Sequence, residues 1–485
     1  MARMEKPIDK PNFTAYYITI LNWGCMGMID QNVFVEKTLL RLLEAKKYQS
    51  LRDILSTMNP SDIAAILDEL DERRLPLVFR LLPKELAAEA FVEMETDQQE
   101  LLIRGFSDTE LKEVLDEMFV DDAVDMVEEM PANVVKRILA QADPDMRKQI
   151  NEILRYPEDS AGSIMTTEYV SLRPHMTVGE AILRIRRTGV DKETIYTCYV
   201  TRDRNLIGMV SVKDLLLCDD DETPIAEIME ENVISVSTHD DQEQVAQMFS
   251  KYNFLALPVT DAEGRMVGII TFDDAMDVME DEATEDMEVM AAMLPSDKPY
   301  AREGVFELVK RRIPWLLVLM LSSTFTGLII SHIESALAAC AALTAFIPML
   351  MGTGGNSGSQ SSVAVIRGLS LGELEFKDLP WIIWKEIRVS VICGVILAVC
   401  NFGKMLLVDN WLMHNPDVTV LVAMAVSITV IFVVMAAKTI GCILPIVAKK
   451  VGLDPAVMAS PFITTIVDAL SLLTYFAVAS MLLPI

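Results

Sequence analysis

Asp468 is the residue whose chemistry most needs an explanation. It lies in "DPAVMASPFITTIVDALSLLTYF", Asp454 to Phe476, a stretch whose only charges are Asp454 and Asp468. Ser460, Thr464, Asp468, Ser471 and Tyr475 follow at steps of four, four, three and four residues, the spacing that puts them on one helix face. Asp468 stands 14 residues into the stretch, roughly 21 Å along a helix and so near the middle of a bilayer. A carboxylate there is costly against lipid and must face protein or water. An ion-carrying polar stripe is one reading, and an ion pair with Lys438 of the preceding apolar segment is the other.

A second polar oddity lies upstream. Eleven consecutive residues, Gly352 to Ser362, are Gly, Ser, Thr, Asn or Gln, inside an uncharged stretch from Ala336 to Ile366. A phosphate-binding loop is a poor fit, since no strand precedes it and no Lys follows. Small-residue helix packing through Gly354-x-x-x-Gly358 accounts for the glycines and leaves Asn356 and Gln360 needing polar partners or water. The stretch therefore reads as a scaffold. Gly355 and Gly358 let it approach the last segment, while Asn356 and Gln360 hydrogen-bond to that segment's backbone or to water in a hydrated path.

The third cluster is "DDAMDVMEDEATEDMEVMAAM", Asp273 to Met293, with nine carboxylates in 21 residues. As helix it places Asp274, Asp277, Asp281 and Glu285 on one side, where like charges at i+3 and i+4 cost about 0.2 to 0.5 kcal/mol per pair. A bound cation would offset that repulsion; a solvated acidic face is the alternative.

Composition shows what must position these groups. The chain has 485 residues and a net charge of −29, and it splits in two. From Ile313 onward there are 8 Lys and Arg against 9 Asp and Glu, leaving 34 against 62 before that point. An acidic first part repels nucleic acid and attracts cations. Seven Cys without a C-x-x-C pair and four scattered His support neither a disulfide framework nor a zinc site. No G-x-x-x-x-G-K-[ST], H-E-x-x-H or nucleophile and base pair points to an enzyme.

The second part carries five apolar segments long enough for membrane helices, near Ile313–Ile333, Ala336–Ile366, Trp381–Val408, Val418–Ala448 and Pro455–Leu483. Lys and Arg gather before the first, around the second connection and before the fifth, and are absent from the other two connections. The positive-inside rule then puts the acidic part in the cytoplasm and the C-terminus outside. The uncharged run Phe13 to Ile29 would reverse that orientation if it spanned, and is read as part of an extension.

Within the acidic part, helix entrances recur at Pro60, Pro83, Ser107 and Pro131, spaced 23, 24 and 24 residues, which predicts a stacked helical superhelix. A larger repeat follows. Val170–Arg187 returns as Ile234–Lys251, and "LIGMVSVKDLL" from Leu206 returns as "MVGIITFDDAM" from Met266. Each copy reads strand, helix, strand, turn and strand, leading into a helix capped near Asp214 or Asp274. The duplication resembles a pair of CBS domains, a regulatory module that usually binds adenine nucleotides or ions and often dimerises.

In order, a helical superhelix, paired CBS domains, a connecting helix and five spans carrying P-x-L-x-G-T-G-G-N-x-G-x-Q resemble the MgtE family of magnesium channels. The resemblance implies a multidomain membrane protein with an α-helical superhelical N-terminal domain, α+β tandem CBS domains and a five-span α-helical transmembrane domain. The expected divisions are an unstructured extension at 1–32, the helical domain at 33–160, the CBS pair at 161–285, a connecting plug helix at 286–312 and the pore domain at 313–485.

It further implies a homodimer in the lipid of the cytoplasmic membrane, with no nucleic-acid partner, that takes up Mg2+ and is closed by cytosolic Mg2+. ATP is admitted at the CBS pair. The alternative reading is a divalent-cation carrier or exporter regulated by nucleotide. By the same resemblance the second and fifth spans line the pore, with Asp468, Ser460 and Thr464 at the ion and Gly355, Asn356, Gly358 and Gln360 as scaffold. Regulatory ions fall to Asp274, Asp277, Glu282, Glu285 and Asp286, with Asp121 and Asp125 as partners from the helical domain. Two positions depart from the family pattern: Ser460 stands where Asn is expected, and Lys438 where a neutral residue is.

Overall fold

The computed structural model describes residues 38–39, 41–296, 300, 303–332, 341–414, 417–458 and 460–482, with backbone alone at 341, 342 and 460. The expected extension at 1–32 lies outside the described residues. The chain divides into two compact units, Met1–Ala275 and Met276–Ile485.

Among the described residues the first unit includes the short helices α1 (Tyr48–Leu55), α2 (Pro60–Asp68), α3 (Leu75–Phe79), α4 (Lys84–Val92), α5 (Thr96–Gly105), α6 (Asp108–Leu115), α7 (Val120–Glu129), α8 (Ala132–Gln141) and α9 (Pro144–Ile153). The repeated entrances are the starts of α2, α4, α6 and α8. Asn59 Oδ1 accepts from Ser61 N at 3.2 Å ahead of Pro60, and Ser107 and Glu110 form a reciprocal capping box. Each such cap contributes about 1 kcal/mol. Ile63, Ala87, Leu111 and Val134 recur one helical turn before Leu67, Phe91, Leu115 and Ile138, and all eight are buried. That repeated pair stacks α2 on α4, α4 on α6 and α6 on α8. No helix of 8 to 10 residues could bury such a face alone.

The larger repeat folds as two three-stranded sheets of one topology. The first holds β1 (Tyr169–Leu172), β2 (Thr194–Arg202) and β3 (Asn205–Ser211); the second holds β4 (Val236–Ser237), β5 (Ala256–Thr260) and β6 (Met266–Thr271). In each the first pair is parallel and the second antiparallel. Helices α10 (Val178–Thr188) and α13 (Gln242–Tyr252) link the parallel strands, while α11 (Val212–Leu217) and α12 (Ile225–Ile228) follow β3. The copies interlock where Thr166 and Ile269 exchange backbone hydrogen bonds of 2.8 and 2.9 Å. Gly208 and Gly268 hold the same place in the two copies. A Cβ on Gly268 would lie 2.7 Å from Thr166 O, and one on Gly208 would lie 3.0 Å from Glu230 O, so only glycine admits the neighbouring backbone.

The connecting helix is α14 (Phe272–Met290), earlier than the expected 286–312. Asp274 Oδ2 accepts from Thr271 N and Oγ1 and fixes its start, and Ala292, with φ 56°, turns the chain out of helical conformation. The like-charge cost of the acidic run is too small to stop a helix begun in this way.

The second unit holds α15 (Val305–His332), α16 (Ile347–Ser370), α17 (Leu379–Lys404), α18 (Val420–Val451) and α19 (Ser460–Leu482), with a π-helical turn at Met405–Leu412. Among the described residues, α15, α17, α18 and the segment containing α19 are long and apolar enough to cross a membrane. Helix α16 has 24 residues, sufficient length, but its glycine and hydroxyl run makes it more polar. It starts at Ile347, later than the expected span, because Ala341–Phe346 is a 3-10 turn. Helix α18 is central and packs on α16, α17 and α19.

Glycines set these distances. A Cβ on Gly354 would sit 2.8 Å from Ser471 Oγ and Val433 Cγ1, one on Gly355 2.9 Å from Thr464 Cγ2, and one on Gly358 2.8 Å from Ile463 Cγ2. Across α18 the fit is tighter still, since a Cβ on Gly441 would lie 2.3 Å from Gly358 O. Backbone cannot yield as a side chain can, so Gly441→Ala is expected to cost about 1 to 3 kcal/mol and lower the melting temperature in detergent. Gly403→Ala, whose added Cβ meets nothing within 4 Å, should leave it unchanged or higher. Equal melting of Gly441→Ala and the parent would remove close backbone approach as the basis of this packing.

Candidate functional site

Two sets of residues carry chemistry, one in each unit. In the first unit, Val120 N donates to Glu168 Oε2 at 3.0 Å, so a carboxylate from the segment before β1 holds the N-terminus of α7. That places Asp121, Asp122 and Asp125 on the opening turns of α7. Asp274 is fixed by its helix cap, and Glu193 directly precedes β2. Asp121 is 7% exposed. Among the described residues, Asp121 Oδ1 and Glu193 Oε2 are buried without a hydrogen-bond partner.

The electrostatics agree. Burial first, then repulsion from Asp274, hold the Asp121 carboxyl well above the ordinary carboxylate range. The same two causes push Asp122 up to about 7. Glu193 is pushed up to about 8 by burial and then by Asp122 and Asp274. Asp125 has an exposed edge, yet burial of its carboxyl first and then Asp274 push it up to about 8. Among the described residues no three His, Cys, Asp or Glu side chains form a ready-made metal cage. Buried, mutually repelling and partly unpartnered carboxylates fit a cation that keeps its water and contacts them through it, as Mg2+ does.

Of the residues singled out from sequence, the structure brings Asp121, Asp125 and Asp274 together. Asp122, Asp273, Glu168 and Glu193 join them. Asp122 directly follows Asp121 and Asp273 directly precedes Asp274 in the chain, whereas nothing local marks Glu168 or Glu193. Asp277, Glu282, Glu285 and Asp286 belong to the second unit. Asp277 and Glu285 lie exposed along α14 and Glu282 is half-buried. Asp286 accepts from Ser370 Oγ at 3.0 Å, at the end of α16, and its carboxyl is raised by burial, against the Ser370 hydrogen bond and with help from Asp454. Val289 and Met290, one turn on, pack with Ile366 and Ala456.

The polar stripe of α19 divides. Ser471 and Tyr475 are buried: Ser471 lies against Gly354, and Tyr475 OH donates to Leu343 O at 3.0 Å. Thr464 and Asp468 are half-buried; Thr464 Oγ1 donates to Pro461 O at 2.9 Å and its methyl group meets Gly355. The Ser460 side chain lies outside the described residues. On α16, Gly354, Gly355 and Gly358 are buried, whereas Gly352, Asn356 and Gln360, at steps of four, are exposed. Asn356 and Gln360 thus turn to the open side of the helix, because the glycines commit the other side to α18 and α19. The Asp468–Lys438 pair weighed from sequence is not formed: among the described residues, the acid within ion-pair reach of Lys438 is Glu386 of α17.

Comparison with known proteins follows the same divisions. Residues 347–478 match a family described as MgtE, divalent cation transporter; residues 58–159 match the MgtE intracellular N domain; residues 161–219 and 225–281 match CBS domains. The magnesium transporter MgtE of Thermus thermophilus is 37% identical over 456 residues, 92% of this chain and 99% of that protein. The magnesium transporter MgtE of Bacillus subtilis is 33% identical over 455 residues, 93% and 98%. A crystal structure of the cytosolic domain of the Mg2+ channel MgtE in complex with ATP is 38% identical, covers 50% of this chain and 99% of that one, and gives a TM-score of 0.48.

The acidic cluster generates a pH prediction. Its acids keep their protons to higher pH folded than unfolded, so between about pH 4 and about pH 8 the folded chain binds more protons and stability falls as pH rises. With divalent cations chelated, the first unit should melt at lower temperature at about pH 8 than at about pH 5. Added divalent cation should recover the loss, and more so at the higher pH. Asp121→Asn combined with Asp122→Asn should flatten both dependences. A parent melting temperature indifferent to pH and cation would refute the assignment.

Proposed function

The chain belongs to the MgtE family of divalent cation transporters, and on that premise we propose that it is a Mg2+ channel of the cytoplasmic membrane, closed by Mg2+ on its acidic, cytoplasmic side. The observation that carries the pathway is the pairing of Asp468, half-buried in α19, with a neighbouring helix whose glycines are spent on packing and whose Asn356 and Gln360 are left open. Mg2+ sheds its water reluctantly, so a carboxylate with amide and hydroxyl groups around it can hold and pass the hydrated ion. Thr464 contributes to this lining, and Ser460 is assigned to it by resemblance. Two copies of the chain, each presenting α16 and α19, would enclose the path and supply two carboxylates against the ion's two charges.

Closure is assigned to the acidic residues. Ion bound at Asp121, Asp122, Asp125, Asp274 and Glu193 relieves repulsion only where those residues are gathered, so it favours the gathered state by its differential affinity. Asp277, Glu282 and Glu285 extend the same chemistry along α14. Asp286, held by Ser370, and Val289 and Met290, packed with Ile366 and Ala456, put the end of α14 on the pore helix itself. ATP is assigned to the CBS pair by resemblance alone. The Lys and Arg distribution supports cytoplasmic placement of the first unit and an outside C-terminus.

Asp468→Asn should lower Mg2+ uptake by about 10-fold or more, since the ion loses a unit charge at close range in low dielectric. Growth rescue of a strain lacking its other magnesium transporters reads this directly, and full rescue by the variant would exclude Asp468 from the path. Asp121→Asn, Asp125→Asn and Asp274→Asn together should leave single-channel activity high when Mg2+ on the cytoplasmic face is raised. A triple variant that still closes would move the sensor elsewhere.

A further inference from the structure

Lys438 is the nineteenth residue of the 32 in α18 and is buried in the transmembrane part of a chain read as conducting cations. Its ammonium donates to Ser361 Oγ at 3.2 Å. Ser361 donates in turn to Glu386 Oε2 at 2.7 Å, and Lys438 Nζ lies 3.9 Å from the same oxygen. The side chains of Lys438 and Glu386 are 8% and 17% exposed, and Ser361 is 2% exposed. Three helices, α16, α17 and α18, thus each give one residue to a single buried chain of charge-assisted hydrogen bonds. Ser361 directly follows Gln360, whose side chain is on the open face of α16. A helix with its side chains is about 10 to 12 Å across, so the Lys438 charge stands within roughly that distance of the face along which cations are read to pass.

We propose that Glu386, oriented by Ser361, masks the charge of Lys438, and that this mask sets the preference of the pathway for divalent over monovalent cations. The inference rests on the conduction reading of the preceding subsection. An isolated cation beside the path raises the energy of every passing cation, whereas a close ion pair presents a dipole whose field fades much sooner. The interaction energy is linear in the charge of the passing ion. The factor imposed on a divalent ion is therefore the square of that imposed on a monovalent one: where unmasking costs K+ a factor of about 3, it costs Mg2+ about 9. A pair that merely braces three helices behaves differently, because removing either partner strands the other and weakens assembly, lowering passage of both ions alike.

The test uses the full chain reconstituted in planar bilayers, with currents carried by Mg2+ and, in divalent-free solution, by K+. Glu386→Gln is expected to lower the Mg2+ current by more than the K+ current, in the squared relation. Lys438→Met, which leaves Glu386 negative, is expected to move the Mg2+ to K+ ratio the other way, and the double variant to return it near the parent value. Single variants that lower both currents by one common factor, with a double variant no better, overturn the proposal while leaving the conduction reading intact. A parent chain that passes no Mg2+ overturns both. If Glu386→Gln does not assemble as judged by size exclusion, the sign of the change in Lys438→Met decides alone, and an unchanged or lowered ratio overturns the mask.

Discussion

A carboxylate withdrawn from water demands a positive partner or a proton, and this constraint recurs at each place where the molecule has chemistry. In the first unit acid faces acid: Asp121, Asp122 and Glu193 are gathered with Asp274, and burial and repulsion raise their carboxyls. Between the membrane helices the demand is met internally, by Lys438 for Glu386. Asp468 stands half-buried within α19, and the carboxylate there falls under the same constraint. What differs is the partner at hand, other carboxylates in the first unit and an ammonium beside Glu386.

The glycine-rich helix solves a related geometric problem. Helix α16 leaves one side open, so its packing has to come from the other. Small residues achieve this by admitting backbone to backbone contact, as between Gly358 and Gly441, where dispersion replaces the hydrophobic effect that lipid cannot supply. The same choice fixes the rotation of α16 and thereby sends Asn356 and Gln360 outward.

Much of this was legible in the chain before any coordinates. Pro60, Pro83, Ser107 and Pro131 marked helix entrances because caps and proline act locally, and the paired sheets were legible because the sequence states them twice. What escaped is what depends on encounters between distant segments. Glu193 is an unremarkable acid until the fold sets it beside Asp122 and Asp274. From sequence Lys438 had Asp468 as a ready partner, and only the crossing of α17 with α18 makes that partner Glu386. The cap of α14 at Asp274 was legible for the same local reason, while the end of that helix at Met290 was not marked in the acidic run. Ser471 and Tyr475 share the spacing of Asp468, yet they turn inward, since a period marks a face without saying what covers it.

The doubled domain contains its own comparison. Ser211 and Asp214 begin α11 as Thr271 and Asp274 begin α14, with the acid closing on the hydroxyl at 2.5 and 2.6 Å. In the first copy that acid ends its work at the cap, on a helix of six residues. In the second copy the helix runs on for 19 residues and the acid has been brought within reach of α7. The same turn thus serves in both copies, as plain architecture in the first and, in the second, as the start of a helix whose capping acid faces other carboxylates. A repeated fold can keep one side-chain cap in both copies while setting only one of them among other acids.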